Sequence, residues 1–215
     1  MSYKSLLFGA SIGFLMTCPI HAKAEGFFVK PHFGFSSLGA DGLTIEGSEG
    51  QASYDSGFAT GLGFGYDYGN GWRSELDFEY RTNEYSKVRL PVDSGADLKG
   101  GDFSSAILYL NGIYQFSVQE WSLKPFVGLG IGWIQEIDFD VSGNGADRSF
   151  SDSGDFAYRM MAGFEKSLSE RWSLQLQVAH VAASGLKLEE EGGSGRISGA
   201  DYSVWSADLG LVFKF

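Results

Sequence analysis

The chain has 215 residues and a formal net charge of −11, and it carries 31 Gly, 18 Phe, 10 Tyr and 5 Trp. An acidic chain without clustered Lys and Arg has no electrostatic means of holding phosphates, which excludes nucleic acid as a partner class. Its one cysteine, Cys18, lies near the start, so no disulfide framework is available.

The first residues read as a leader. Lys4 precedes an apolar run from Leu6 to Met16, and small residues lead to Ala22-Lys23-Ala24. That run is too short to cross ~30 Å of hydrocarbon as a helix, and Ala22 with Ala24 supplies the small-x-small pattern of a secretory signal peptide. The expected division is residues 1–24 as signal peptide and 25–215 as the mature domain. Thr17 is bulkier than the residue usual before a lipidated cysteine, which argues against a lipoprotein. Loss of Lys4 and Lys23 moves the net charge from −11 to −13, and Cys18 leaves with them.

Segments of about ten residues with period-two alternation follow, the length of a tilted strand crossing a bilayer. The first covers residues 27–38. The second, 58–68, puts Phe58, Thr60, Leu62, Phe64, Tyr66 and Tyr68 on one face, opposite Ala59, Gly61, Gly63, Gly65 and Asp67. After the turn at 69–71, the third covers 72–81. Trp72, Ser74, Leu76, Phe78 and Tyr80 share a face opposite Arg73, Glu75, Asp77, Glu79 and Arg81. The fourth covers 106–116. The fifth, 123–133, sets Leu123, Pro125, Val127, Leu129, Ile131 and Trp133 against Lys124, Phe126, Gly128, Gly130 and Gly132. Segments 156–168, 172–181 and 202–215 complete eight.

A sandwich gains little from solvating a glycine face. A barrel turns its large residues to lipid and uses the glycines to make room for side chains in a narrow lumen. The connections at 69–71, 117–122 and 169–171 are short, while those at 39–53, 82–102, 136–155 and 182–201 are long. Short periplasmic turns alternating with long outer loops describe an all-β, eight-stranded antiparallel up-and-down transmembrane β-barrel with both mature ends in the periplasm. Tyr66, Tyr68, Trp72, Phe116, Trp121 and Trp172 flank the short turns and are expected to form an aromatic girdle there.

The stretches GYDYGNGWRSELDFEYR, LKPFVGLGIGW and FAYRMMAGFEKSL resemble the small eight-stranded outer-membrane β-barrel family that includes the opacity-type proteins and the OmpA transmembrane domain. The last strand, with Leu209, Leu211, Phe213 and Phe215 on one face, is similar to the export signature that the barrel-assembly machinery recognises. The resemblance implies a location in the bacterial outer membrane. Its partners would be outer-membrane lipids, lipopolysaccharide, the assembly machinery during biogenesis, and a host or extracellular ligand at the loops. The family hosts adhesins, envelope-stabilising proteins and narrow pores, so architecture is implied more sharply than activity. The chain closes on its final strand, which gives no support to a periplasmic anchoring role, and a monomer is expected.

Candidate interior charges are Arg73, Glu75, Asp77, Glu79, Arg81, Arg159 and Glu165, with Asp208 and Lys214. Mixed signs in so narrow a lumen favour paired ions filling it over a conducting path. Arg73 and Arg159 are the expected central cations. No catalytic residue, cofactor or metal is expected. Asp138, Asp140, Ser142 and Gly143 superficially suggest a calcium loop, but Ser149 stands where the closing glutamate belongs, so a solvated loop is preferred. Glu189, Glu190 and Glu191 read as another solvated loop face. His180 and Ser184 raise a lipid A modifying enzyme as a remote alternative, and a rim position at headgroup level is the plainer reading of His180. The expected role is structural or surface interaction through four acidic loops, with a narrow porin-like channel as the main alternative.

Overall fold

The computed structural model describes residues 26–38, 43–45, 48–89, 97–98, 101–117, 122–143, 146–191, 193 and 196–215. The leader expected at 1–24 and Trp121 lie outside these residues. Eleven strands run in chain order: β1 (Gly26–Leu38), β2 (Leu43–Ile45), β3 (Ser48–Asp67), β4 (Trp72–Arg89), β5 (Asp97–Leu98), β6 (Gly101–Gln115), β7 (Leu123–Gly143), β8 (Ala146–Asp152), β9 (Phe156–Ser167), β10 (Trp172–Glu190) and β11 (Arg196–Lys214).

Eight of them close a ring. Antiparallel ladders join β1–β3, β3–β4, β4–β6, β6–β7, β7–β9, β9–β10 and β10–β11, and β11 returns to β1 with Phe28 opposite Lys214 and Leu38 opposite Val204. Closure leaves no unpaired edge in the hydrocarbon, where an unsatisfied backbone group costs several kcal/mol. β2, β5 and β8 are short strands that extend the hairpins at the end opposite the tight turns. The turn at 69–71 relies on Gly69 and Gly71, whose φ values of 71° and 91° suit a residue without Cβ.

The long connections differ from expectation. Much of 39–53, 82–102, 136–155 and 182–201 is strand rather than loop. Asp138 and Asp140 sit in β7, opposite Ser151 and Ser149 of β8, so the residues compared with a calcium loop form a hairpin ladder. Glu189 and Glu190 likewise end β10, and both are paired with β11 or β8. The hydrogen-bonding groups of these segments are met by neighbouring backbone, which solvated loops would leave to water.

The outer face is apolar over a band. On β7, Leu123, Val127, Leu129, Ile131 and Trp133 are exposed, Leu129 by 66%. Ten residue steps from Leu123 to Trp133, at ~3.3 Å each and tilted ~40°, rise ~25 Å, the height of the apolar band of a membrane barrel. Rings mark both limits. At the tight-turn end Trp72 packs on Tyr114 at 5.0 Å, Tyr66 on Tyr68 at 5.2 Å and Trp172 on Phe213 at 4.6 Å. At the other limit Trp133 and Trp205 face outward, and Trp205 packs on His180 at 4.6 Å.

Two bulges change which side chains point inward. In β7, Ile134 faces Ile107 but Glu136 faces Ala106, so Gln135 is an extra residue. Burial accordingly passes from even positions up to Ile134 to odd positions from Ile137. In β10 the ladder jumps between Ala183 and Leu186, with Gly185 at φ 75°, and burial passes from odd to even. An inserted residue shifts the side-chain period by one, which turns every later residue to the other face.

Candidate functional site

The interior has two floors. Nearest the tight turns, Arg73 is held by Asp67 (2.9 Å from Nε) and by Glu165, which it meets through Nη1 and again through Nη2 at 3.3 Å. Its guanidinium lies 5.7 Å from the Phe28 ring centre. Lys214 adds a 3.1 Å contact to Asp67. Above this, Lys30 donates to Glu75 at 2.9 Å and Asn111 donates to the same oxygen at 3.2 Å. Next, Arg159 spans Asp77 (2.8 Å) and Glu79 (3.0 Å), with its guanidinium 4.6 Å from the Tyr109 ring centre. Arg81 pairs with Glu79 at 2.6 Å and donates to the Tyr202 hydroxyl at 3.0 Å.

Arg73, Glu75, Asp77, Glu79, Arg81, Arg159, Glu165 and Asp208 are all buried on the inner face. Among the described residues of these layers, six carboxylates (Asp67, Glu75, Asp77, Glu79, Glu165, Asp208) face five permanent cations (Lys30, Arg73, Arg81, Arg159, Lys214). Ion pairs are needed here because an unpaired buried charge costs several kcal/mol. The room comes from glycines on neighbouring strands. A Cβ on Gly61 would stand 2.3 Å from His32 Nε2, and one on Gly65 would stand 2.3 Å from Phe28 Cζ.

Lys30, His32, Asn111 and Tyr109 belong to this interior but escaped the sequence reading. The signal for the first two was present: Lys30 and His32 alternate with Val29, Pro31 and Phe33 in the first segment.

The upper floor is apolar. Phe103, Ile107, Ile134, Ile137, Phe139, Phe150, Leu186, Leu188 and Val204 form one buried cluster, and the Phe103 ring stacks on Tyr202 at 5.5 Å. Sequence reasoning missed it because most of these side chains come from segments taken for loops. The two bulges aim Ile137, Phe139, Leu186 and Leu188 inward. The cluster caps the ionic floor on the side of the long hairpins.

Outside the cap, the hairpins carry an open polar cleft of about 530 Å³ lined by Gln135, Glu136, Ser151, Asp152, Ser153, Lys187 and Glu189. Partial burial and the neighbouring carboxylates of Glu136, Asp140 and Glu191 push the Asp138 carboxyl above its ordinary range. Burial and Asp152 do the same for Asp155. His180 is half-buried at the upper girdle and lies 3.1 Å from the Ser203 hydroxyl, while Ser184 is exposed at the β10 bulge. The His180 imidazole thus meets the Ser203 hydroxyl and packs on the Trp205 ring, 4.6 Å between ring centres.

Leu211 and Phe215 face outward on the last strand, Leu209 and Phe213 are half-buried there, and Phe215 donates its N–H to Phe27 O at 3.0 Å.

Known proteins share this architecture. A curated outer membrane protein of Gluconacetobacter diazotrophicus is 29% identical over 154 residues, covering 67% of this chain; the matched region spans only 40% of that relative's length. OprG from Pseudomonas aeruginosa superposes with a TM-score of 0.61 at 18% identity, over 90% of this chain and 99% of its own. Neisserial surface protein A gives 0.53 at 16% identity, over 89% and 99%. AlkL, solved in lipid bilayers, gives 0.51 at 20% identity, over 88% and 91%. At these identities the solved structures establish the fold. The family profile described as the outer membrane protein beta-barrel domain matches residues 10–215, and the chain therefore belongs to that family of bacterial outer-membrane barrels.

Proposed function

We propose that this barrel is a closed, non-enzymatic structural protein of the outer membrane that displays polar hairpins outside the cell for surface interaction. The observation that carries the reading is the two-floored interior: ion pairs fill the membrane span and an apolar cluster lies over them. An eight-stranded barrel is just wide enough for side chains to fill it, and here they do. The tight turns and both ends of the barrel face the periplasm, and the hairpins with their cleft face outward. Lipid and lipopolysaccharide contact the apolar band, and an extracellular ligand would meet the cleft. The last-strand residues Leu209, Leu211, Phe213 and Phe215 serve as the signal for the assembly machinery.

Reconstitution in planar bilayers tests the closed interior. Wild-type protein should give no defined conductance steps, and reproducible unitary steps would favour the narrow-channel reading. Orientation is tested with single cysteines on intact cells: a membrane-impermeant maleimide should label Ser153→Cys and leave Asn70→Cys unlabelled. The reverse pattern would invert the assignment.

A further inference from the structure

His32, Gln177 and Asp208, each with an unpartnered buried polar atom, line one small cavity in the ionic floor. His32 Nε2 lies 2.9 Å from Asp77 Oδ1. Asp77 is an acceptor there, since its other oxygen receives Arg159, so Nε2 donates and the neutral ring carries its lone pair on Nδ1. Among the described residues that Nδ1 has no partner, and neither does Gln177 Oε1 or Asp208 Oδ1, although Asp208 Oδ2 receives the Ser206 hydroxyl at 2.9 Å. All three residues are at least nine-tenths buried and line the same cavity. Measured to the centre of a water-sized body the cavity is about 10 Å³, room for one water or one ion. Lys30 also lines it, but its ammonium is drawn off to Glu75 and its methylenes face the space beside Gly210.

Each buried acceptor left unsatisfied is costly, and a water has only two hydrogens to give. A metal ion satisfies every lone pair at once. A carboxylate of Glu79 also lies close, with ligand atoms of His32, Glu79 and Asp208 all within 4.8 Å of one another. With His32 neutral, the described side chains of these layers leave one carboxylate charge in excess, which favours a cation over a neutral occupant. An imidazole among oxygen donors selects a transition ion over magnesium or sodium. The His32–Asp77 bond is the arrangement that orients a metal-binding histidine, with its second nitrogen donating to a carboxylate. We propose that the barrel encloses one divalent transition-metal ion of the zinc class, bound by His32 Nδ1 and Asp208 Oδ1 with Gln177 and Glu79 beside it.

By the register of β1, β10 and β11 the cavity lies beneath the apolar cap, toward the tight turns. The test folds metal-stripped protein into lipid with Zn²⁺ present, desalts it, and measures zinc per chain. Wild type should retain about one zinc, as should His180→Gln. Asp208→Asn and His32→Gln should each lower retention at least tenfold. Because either variant could fold poorly, ¹⁵N resonances of the wild-type histidines supply a second reading. With Zn²⁺, the Nδ1 signal of His32 should move to the metal-bound position. Retention unchanged in Asp208→Asn, retention lost only in His180→Gln, or a His32 Nδ1 that stays protonated or uncoordinated would each overturn the proposal. The last result would assign the cavity to a proton or a water.

Discussion

Arg159 is the cation whose loss should be felt most. It is buried on the inner face, joins Asp77 and Glu79, and lies over the Tyr109 ring. Arg159→Met keeps most of the stem volume but removes the charge. Deleting one partner of a buried pair costs about 3–5 kcal/mol, because the other charge is stranded. Here each carboxylate keeps a second partner, His32 for Asp77 and Arg81 for Glu79, which points to the lower end of that range. We expect about 3 kcal/mol, roughly two orders of magnitude in the folding equilibrium. The assay is urea unfolding in phospholipid vesicles, followed by tryptophan fluorescence and checked by heat-modifiable gel migration. Asp77→Asn should destabilise the wild type yet recover part of the loss in the Arg159→Met background, since the amide oxygen that replaces the carboxylate can still accept from His32. A coupling of at least ~1 kcal/mol is expected for groups in direct contact. A cost below ~1 kcal/mol for Arg159→Met, or simple additivity in the double variant, would refute the account of a mutually neutralising interior.

The lipid-facing wall offers a second test: Leu129→Arg should cost about 2–4 kcal/mol in the same unfolding assay, as arginine does at a barrel's midplane. A tryptophan at position 129 should be quenched strongly by a lipid-dissolved quencher. The neighbouring inward site is less permissive than its small residue suggests, because a Cβ on Gly130 would stand 2.1 Å from Asn111 Oδ1, so Gly130→Ser should weaken the Asn111–Glu75 contact and measurably lower stability. Asp138 carries a raised pKa, so the folded hairpin binds its proton more tightly than the unfolded chain does. Its contribution is therefore greatest at low pH and is lost as pH rises through the raised value. Hydrogen exchange in β7–β8, corrected for intrinsic rates, should show this loss in wild type and much less of it in Asp138→Asn. Finally, deleting Gln135 alone should restore a regular ladder with Ile137 and Phe139 still inward, whereas deleting Gln135 and Glu136 together should turn both outward, and limited proteolysis of the hairpin end should accelerate only in the second variant while the membrane span stays protected.

The eight-strand plan was legible because large and small residues alternate so plainly in 58–68, 72–81 and 123–133. Parity alone marks Arg73 through Arg81 as facing away from Trp72 and Leu76. Which cation meets which carboxylate was not legible. Arg73 reaches Glu165 across 92 positions of sequence, and that encounter depends on the stagger of the closed sheet. His32 and Lys30 could have been found by applying the same parity to the first segment. The apolar cap was hidden because Ile137, Phe139, Leu186 and Leu188, which complete it, lie past Gln135 and Ser184, where the alternation breaks phase and resembles the irregularity of a loop.

Those two phase breaks record a change of solvent along a single wall. Below Trp133, β7 shows leucine, valine and isoleucine outward and glycine inward; above it, Gln135, Glu136, Asp138 and Asp140 face out while Ile137 and Phe139 face in. β10 reverses in the same sense across Gly185, from Leu176 and Val178 outward to Leu186 and Leu188 inward. One continuous strand thus obeys the burial rule of a membrane protein for its first half and that of a water-soluble protein for its second. Each inserted residue sits where oil gives way to water, so the bulges serve as a depth gauge written in the backbone. The part of the molecule above them is built like an ordinary soluble β-structure, and its surface is free to vary without renegotiating the terms on which the lower half meets lipid.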